Sequence, residues 1–78
     1  MLHFELLENT DTSVTYRYFP ENQQNFGMIT VRKNDKVITH QVLATGDEYK
    51  WYFSHMYKRI KQYIEAKEYK EKGIIAWY

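Results

Sequence analysis

Leu2-His3-Phe4-Glu5-Leu6 alternates apolar and polar side chains without a break. A period of two sends every second side chain to one face. The segment therefore predicts a strand with Leu2, Phe4 and Leu6 inward and His3, Glu5 and Leu7 outward. Residues 8–12 read as a turn, because Asn9 and Asp11 carry side chains that bond their own backbone. Residues 13–19 resume the alternation with β-branched and aromatic side chains. Val14, Tyr16 and Tyr18 take the inner face, and Ser13, Thr15, Arg17 and Phe19 the outer. Pro20 has no amide hydrogen to donate and ends the strand. After a polar loop over 21–25, residues 26–33 and 36–44 read as a hairpin around Asn34-Asp35. A two-residue loop pairs Val31 with Ile38 and Ile29 with His40, which gathers Ile29, Val31, Ile38 and Val42 on the core face. Met28, Thr30, Arg32, Val37, Thr39, Gln41 and Leu43 fall on the other.

From residue 45 the period lengthens. Thr45-Gly46-Asp47-Glu48 has the spacing of a capping box, in which the threonine hydroxyl accepts from the Glu48 amide and the Glu48 carboxylate reaches back. Acidic residues also suit the positive end of a helix dipole. Residues 48–72 read as one long helix, closed by Gly73 as a left-handed cap. Tyr49, Tyr52, Phe53, Met56, Ile60, Tyr63 and Ile64 share one broad face, which is its core side. Such a helix is about 35 Å long, against about 23 Å for a seven-residue strand. Its charged end, residues 66–72, should therefore overhang the sheet. Residues 74–78 read as a short terminal strand joining the sheet, since burying Trp77 and Tyr78 contributes on the order of 2 kcal/mol each. A tail against the helix and a strand donated to a second subunit are the alternatives.

The expected fold is α+β: a single domain spanning 1–78, built as a two-layer sandwich. Its antiparallel meander has four to five strands, its one long C-terminal helix covers about 48–72, and its short terminal strand covers about 74–78. One helix covers one face of such a sheet and leaves the other open.

Composition narrows the function more than it names it. A chain of 78 residues buries only about 60–65% of its unfolded surface. It has no cysteine, so packing must replace disulfides and thiolate metal sites. Eight Tyr, four Phe and two Trp supply that packing, each burying roughly 150–250 Å². Eleven Lys and Arg stand against ten Asp and Glu, a net charge of +1, with the basic surplus confined to residues 47–78. This is not the clear basic excess of a dedicated nucleic-acid binder. No basic leader and no apolar run of the ~20 residues of a membrane span are present, so a soluble, cytoplasmic protein without a membrane partner is expected.

Candidate chemistry is sparse. His3, His40 and His55 fall on different elements without metal-ligand spacing. Ser13 and Ser54 lack a nucleophile-elbow context, and Gly27, Gly46 and Gly73 are too scattered for a phosphate loop. His40, placed beside apolar neighbours, reads as a structural residue. No catalytic residue, cofactor or metal is assigned, and a non-enzymatic role is expected. On the helix side opposite the core, Trp51, His55, Lys58, Gln62, Glu65 and Tyr69 recur at steps of four and three, forming one stripe with aromatic ends. With Phe19 and Met28 from the outer sheet face, these residues form the candidate partner surface, because Trp and Tyr are enriched among binding hot spots. The expected function is a small protein-interaction domain, self-associating through the outer sheet face or the Trp51–Tyr69 stripe. One alternative is weak nucleic-acid contact through Lys50, Lys58, Arg59 and Lys61 with nearby aromatics. The other is a small ligand-binding domain or enzyme with a pocket between sheet and helix.

Overall fold

The computed structural model describes residues 1–21, 24–47 and 49–76. Along the chain lie β1 (Leu2–Asn9), β2 (Ser13–Pro20), β3 (Gly27–Arg32), β4 (Ile38–Val42), α1 (Trp51–Ala66) and β5 (Lys72–Ile75). The strands form one antiparallel sheet in the order β4-β3-β2-β1-β5. The first four are a meander. The chain then leaves the β4 edge, crosses one face as α1, and returns antiparallel to β1 at the opposite edge. This is the α+β architecture that the alternation predicts.

Period two and period 3.6 meet in one core. Leu2, Phe4, Val14, Tyr16, Tyr18, Ile29 and Val31 from the sheet are buried against Phe53, Met56, Ile60 and Ile64 of α1. Leu6, Ile38, Tyr52, Tyr57 and Tyr63 pack around that centre. The rings meet edge to face, Phe4 on Tyr16 at 5.7 Å and Tyr18 on Phe53 at 6.3 Å, the arrangement favoured by their quadrupoles.

Two bulges alter the register that strict alternation implies. In β1 the pairing steps from Leu6–Tyr16 to Glu8–Thr15, which leaves Leu7 as the extra residue. In β4 it steps from Ile38–Val31 to His40–Thr30, which leaves Thr39 extra. The expected pairing of Val31 with Ile38 is present, but a single inserted residue turns every later side chain over. Ile29 therefore lies opposite Gln41 rather than His40. Val42 leaves the core side and is exposed, while Leu43, expected outside, packs against the core. His40 sits opposite Thr30 on the outer face, not among apolar neighbours. The hairpin loop spans 33–37 instead of two residues. Within it the Lys36 amide donates to Arg32 O at 2.8 Å, Lys36 takes φ 59°, and the Asp35 carboxylate accepts from Arg32 Nε at 3.0 Å.

The helix is shorter than the pattern suggests at both ends. At its start a different side chain does the capping. Asp47 is buried, and its Oδ1 accepts from the Tyr52 amide at 3.2 Å while Oδ2 accepts from the Phe53 amide at 2.9 Å. The same Oδ2 accepts from the Tyr18 hydroxyl at 3.0 Å, and that hydroxyl accepts from the Ala44 amide at 3.2 Å. Glu48, half of the expected capping box, lies outside the described residues. Lys50 turns left-handed at φ 59°, so Tyr49 precedes the helix and is exposed rather than in the core.

At the other end Lys67 is left-handed at φ 57°. Its amide donates to Ile64 O at 3.3 Å and the Glu68 amide to Tyr63 O at 3.2 Å, the paired closure that usually employs glycine. Beyond it, Tyr16 Oη donates to Lys70 O at 2.7 Å and the Leu6 amide to Glu71 O at 2.6 Å. These bonds turn 67–71 back along the sheet, so the charged segment does not overhang. Gly73 is a strand residue opposite Phe4, where a Cβ would come within 2.8 Å of Phe4 Cζ. Of the expected terminal strand, Ile74 and Ile75 belong to β5; Trp77 and Tyr78 lie outside the described residues.

Two predictions follow from these interactions. Asp47→Ala strands two helix amides and the Tyr18 hydroxyl, and should lower the unfolding free energy by about 2–4 kcal/mol; Asp47→Asn, which keeps one acceptor, should cost less. Urea unfolding of both variants measures the difference, and equal stability of Asp47→Ala and the parent would refute the role given to Asp47. The second prediction concerns alkali. Burial, reinforced by neighbouring Tyr63 and Tyr69, holds the Tyr16 phenol well above its ordinary value of 10.0, and burial does the same for Tyr18. The fold thus favours the neutral phenols, while the unfolded chain ionises near pH 10. Their contribution is complete below that pH and is lost above it, at up to about 1.4 kcal/mol per pH unit per phenol. Urea midpoints should be flat to about pH 9 and fall steeply by pH 11, with a shallower fall in Tyr16→Phe.

Candidate interaction surfaces

The helix covers one side of the sheet. On the other side the register aligns Val42, Met28, Arg17, Glu5 and Lys72 in a single row crossing all five strands. His40, Thr30, Thr15 and Glu8 form the next row, and His3 lies between Phe19 and Ile74 on the far side of the first. Arg17 organises the middle. Its Nε donates to Glu5 Oε2 at 2.9 Å, and its guanidinium carbon sits 5.3 Å from the centroids of both Phe19 and Phe26. Those two rings are themselves 5.6 Å apart. Because the ion pair is partly solvated it contributes no more than about 1 kcal/mol, but it fixes the guanidinium over the rings.

Thr15 is buried although no described element covers this face. Its hydroxyl lies 2.8 Å from that of the half-buried Thr30. Around this centre Phe26, Val42 and Ile74 remain 40%, 46% and 53% exposed. The face therefore combines an apolar periphery with charges of both signs.

The helix side opposite the core carries Trp51, His55, Lys58, Gln62 and Glu65, as their spacing implies. Trp51 is 68% exposed and Tyr49 81%, and their rings lie 6.4 Å apart. Tyr69 does not continue the stripe. The helix ends at Ala66, and Tyr69 packs against the core with Lys33 Nζ 4.5 Å from its ring centroid. Burial raises its phenol pKa.

The four basic residues proposed for nucleic-acid contact are divided. Lys50 Nζ lies over the Phe53 ring and Lys61 Nζ over the Tyr57 ring. Tyr57 Oη in turn donates to Lys36 O at 2.6 Å, and Lys36 Nζ donates to Glu65 at 2.9 Å, which places this flank beside the β3–β4 loop. Lys58 and Arg59 line a groove on the opposite flank, against Ile75 and Ala76 at the β5 edge.

His3, His40 and His55 lie on β1, β4 and α1. Among the described residues no group of three or more His, Cys, Asp or Glu side chains is placed to hold a metal ion. A concavity at the helix end is lined by Gln62, Tyr63, Ala66, Glu68, Tyr69 and Lys70. The Tyr63 hydroxyl is buried and has no hydrogen-bond partner among the described residues, its ring held against Phe4 and Tyr16 at 6.2 and 5.8 Å.

Phe26, Val42, Ile74 and Tyr49 are the surface residues that the pattern misassigned or passed over. Phe26 was legible in principle, as an aromatic two residues before Met28 and so in line with the outer face, where its ring meets Phe19 of β2. Val42 and Tyr49 were not, because a one-residue bulge and a left-handed lysine decide their sides. No described helix is long and apolar enough to cross a membrane. No protein-family model, curated protein or solved structure matches the chain.

Proposed function

We propose that this chain is a non-catalytic protein-interaction domain that pairs with a second copy of itself through the outer face of its sheet. The observation that carries this reading is the row from Val42 to Lys72 with its aromatic flank, a broad face that no described element covers. Exposed apolar surface of this kind favours association.

Two features favour a second copy over an unrelated partner. The face carries Glu5 and Glu8 as well as Arg17 and Lys72, so a two-fold axis can bring opposite charges together. Five strands about 4.8 Å apart give a face about 24 Å wide, which approaches the footprint of an interface burying about 800 Å² per partner. Two such sheets packing about 10 Å apart would close a sandwich. A chain without cysteine is compatible with the cytoplasm, the location we propose for it.

Light scattering coupled to size exclusion tests the assignment. The parent should elute as a dimer, and Val42→Glu or Met28→Glu should convert it to a folded monomer, because each introduces a charge at an outer-face position. A monomeric parent would refute self-association. Loss of the dimer in Trp51→Ala but not in Val42→Glu would move the interface to the helix stripe. Co-eluting nucleic acid released by salt would favour the polyanion reading instead.

A further inference from the structure

We infer that the open edge of β5, together with the basic flank of α1 beside it, is a docking site for an extended segment of another protein in which acidic and apolar residues alternate. β5 pairs with β1 along one side, and among the described residues no strand lies on its other side. In an edge strand every second residue turns its N–H and C=O outward, a template for one more strand. The other edge, β4, is interrupted by the bulge at Thr39. β5 is regular over all four of its pairs with β1 and has no proline.

The flank determines which strand fits. The groove between α1 and this edge is lined by His55, Lys58, Arg59 and Gln62 on the helix, by Ile75 of β5 and by Ala76 just beyond it. Arg17, Arg32 and Lys36 each hold a carboxylate. Among the described residues Lys58 and Arg59 hold none. Side chains of an added strand alternate between the two faces of the sheet. Those on the helix side meet Lys58 and Arg59 and are best supplied as carboxylates. Those on the other side extend the outer face beside the exposed Ile74 and are best supplied as apolar groups. The partner is thus recognised by main-chain pairing, with charge on one face and burial on the other.

A second copy of this chain does not meet that description. β4 (Ile-Thr-His-Gln-Val) and β5 (Lys-Gly-Ile-Ile) contain no carboxylate, and a two-fold β5–β5 pairing would bring the two basic flanks toward each other. A nucleic acid offers negative charge but no ladder. The ladder edge of β5 is distinct from the outer sheet face and shares only the border residues Lys72 and Ile74 with it, so the monomeric Val42→Glu variant should still bind at this edge.

The test titrates the full isotope-labelled chain with an acetylated, amidated hexapeptide alternating valine and glutamate, and follows backbone amide resonances. Saturable shifts should centre on residues 72–76, and the outward-facing β5 amides should gain protection from hydrogen exchange. Affinity should fall roughly five-fold or more in the Lys58→Gln/Arg59→Gln double variant, and by a similar factor when glutamine replaces glutamate in the peptide. N-methylation of the central peptide bonds should abolish binding, because it removes ladder donors. Shifts that bypass residues 72–76, or equal affinity for the glutamine peptide, would overturn the proposal. So would displacement of the peptide by oligothymidylate that moves Lys58 and Arg59 but not the β5 amides, which would reassign the flank to nucleic acid.

Discussion

The bond between a buried aspartate and a buried tyrosine sets the relation between sheet and helix. Asp47 sits in the connection that carries the chain from β4 to α1, and its carboxylate accepts from two amides of the first helical turn and from the Tyr18 hydroxyl of β2. A buried carboxylate is tolerated only when hydrogen-bonded in this way. Here the requirement is met by groups from a strand and a helix at once. The same constraint reaches β3. With its hydroxyl held, the Tyr18 ring lies over Gly27, where an added Cβ would come within 2.4 Å of Cε1. One residue thus fixes where the helix starts, how a central tyrosine points, and why the neighbouring strand begins with glycine.

Most of the sheet was legible because its signal is redundant. Leu2 and Phe4 on β1, Val14, Tyr16 and Tyr18 on β2, and Ile29 and Val31 on β3 are alternate residues, and all are buried. A strand whose every second side chain is large and apolar has one stable orientation. The failures share a different character. Thr39 and Leu7 are single extra residues, and nothing in a period-two pattern marks which residue will be squeezed out of a ladder. The helix ends were misjudged because the determining bonds come from elsewhere in the chain. Lys67 accepts a left-handed conformation, and Lys70 and Glu71 give their carbonyls to Tyr16 and Leu6. Local helix propensity over 67–72 was overridden by tertiary hydrogen bonds that no window of the sequence contains.

The candidate surfaces were harder to read for the same reason. Trp51, Lys58 and Gln62 stand on the outer helix side because helical spacing is robust, whereas Tyr69 was lost from that stripe once the helix stopped at Ala66. Phe19 and Met28 are on the outer sheet face as alternation requires, and the bulge then added Val42 beside Met28. The molecule therefore has two exposed regions of unlike character. The sheet face balances its charges internally, with Arg17 engaged by both Glu5 and the phenyl rings. In the groove beside β5, Lys58 and Arg59 pair with no carboxylate among the described residues.

The position of β1 in the sheet order has a kinetic consequence. β1 is made first, yet its place is between β2 and β5, and Leu2 pairs with Ile75. Until residues 72–75 have emerged and α1 has crossed the sheet, β1 is an unprotected edge carrying Leu2, Phe4 and Leu6. The ladder that covers it closes nearly the full length of the chain, and the entropy of that closure is lost before its contacts form. During synthesis the nascent meander therefore presents a sticky strand until β5 pairs with it.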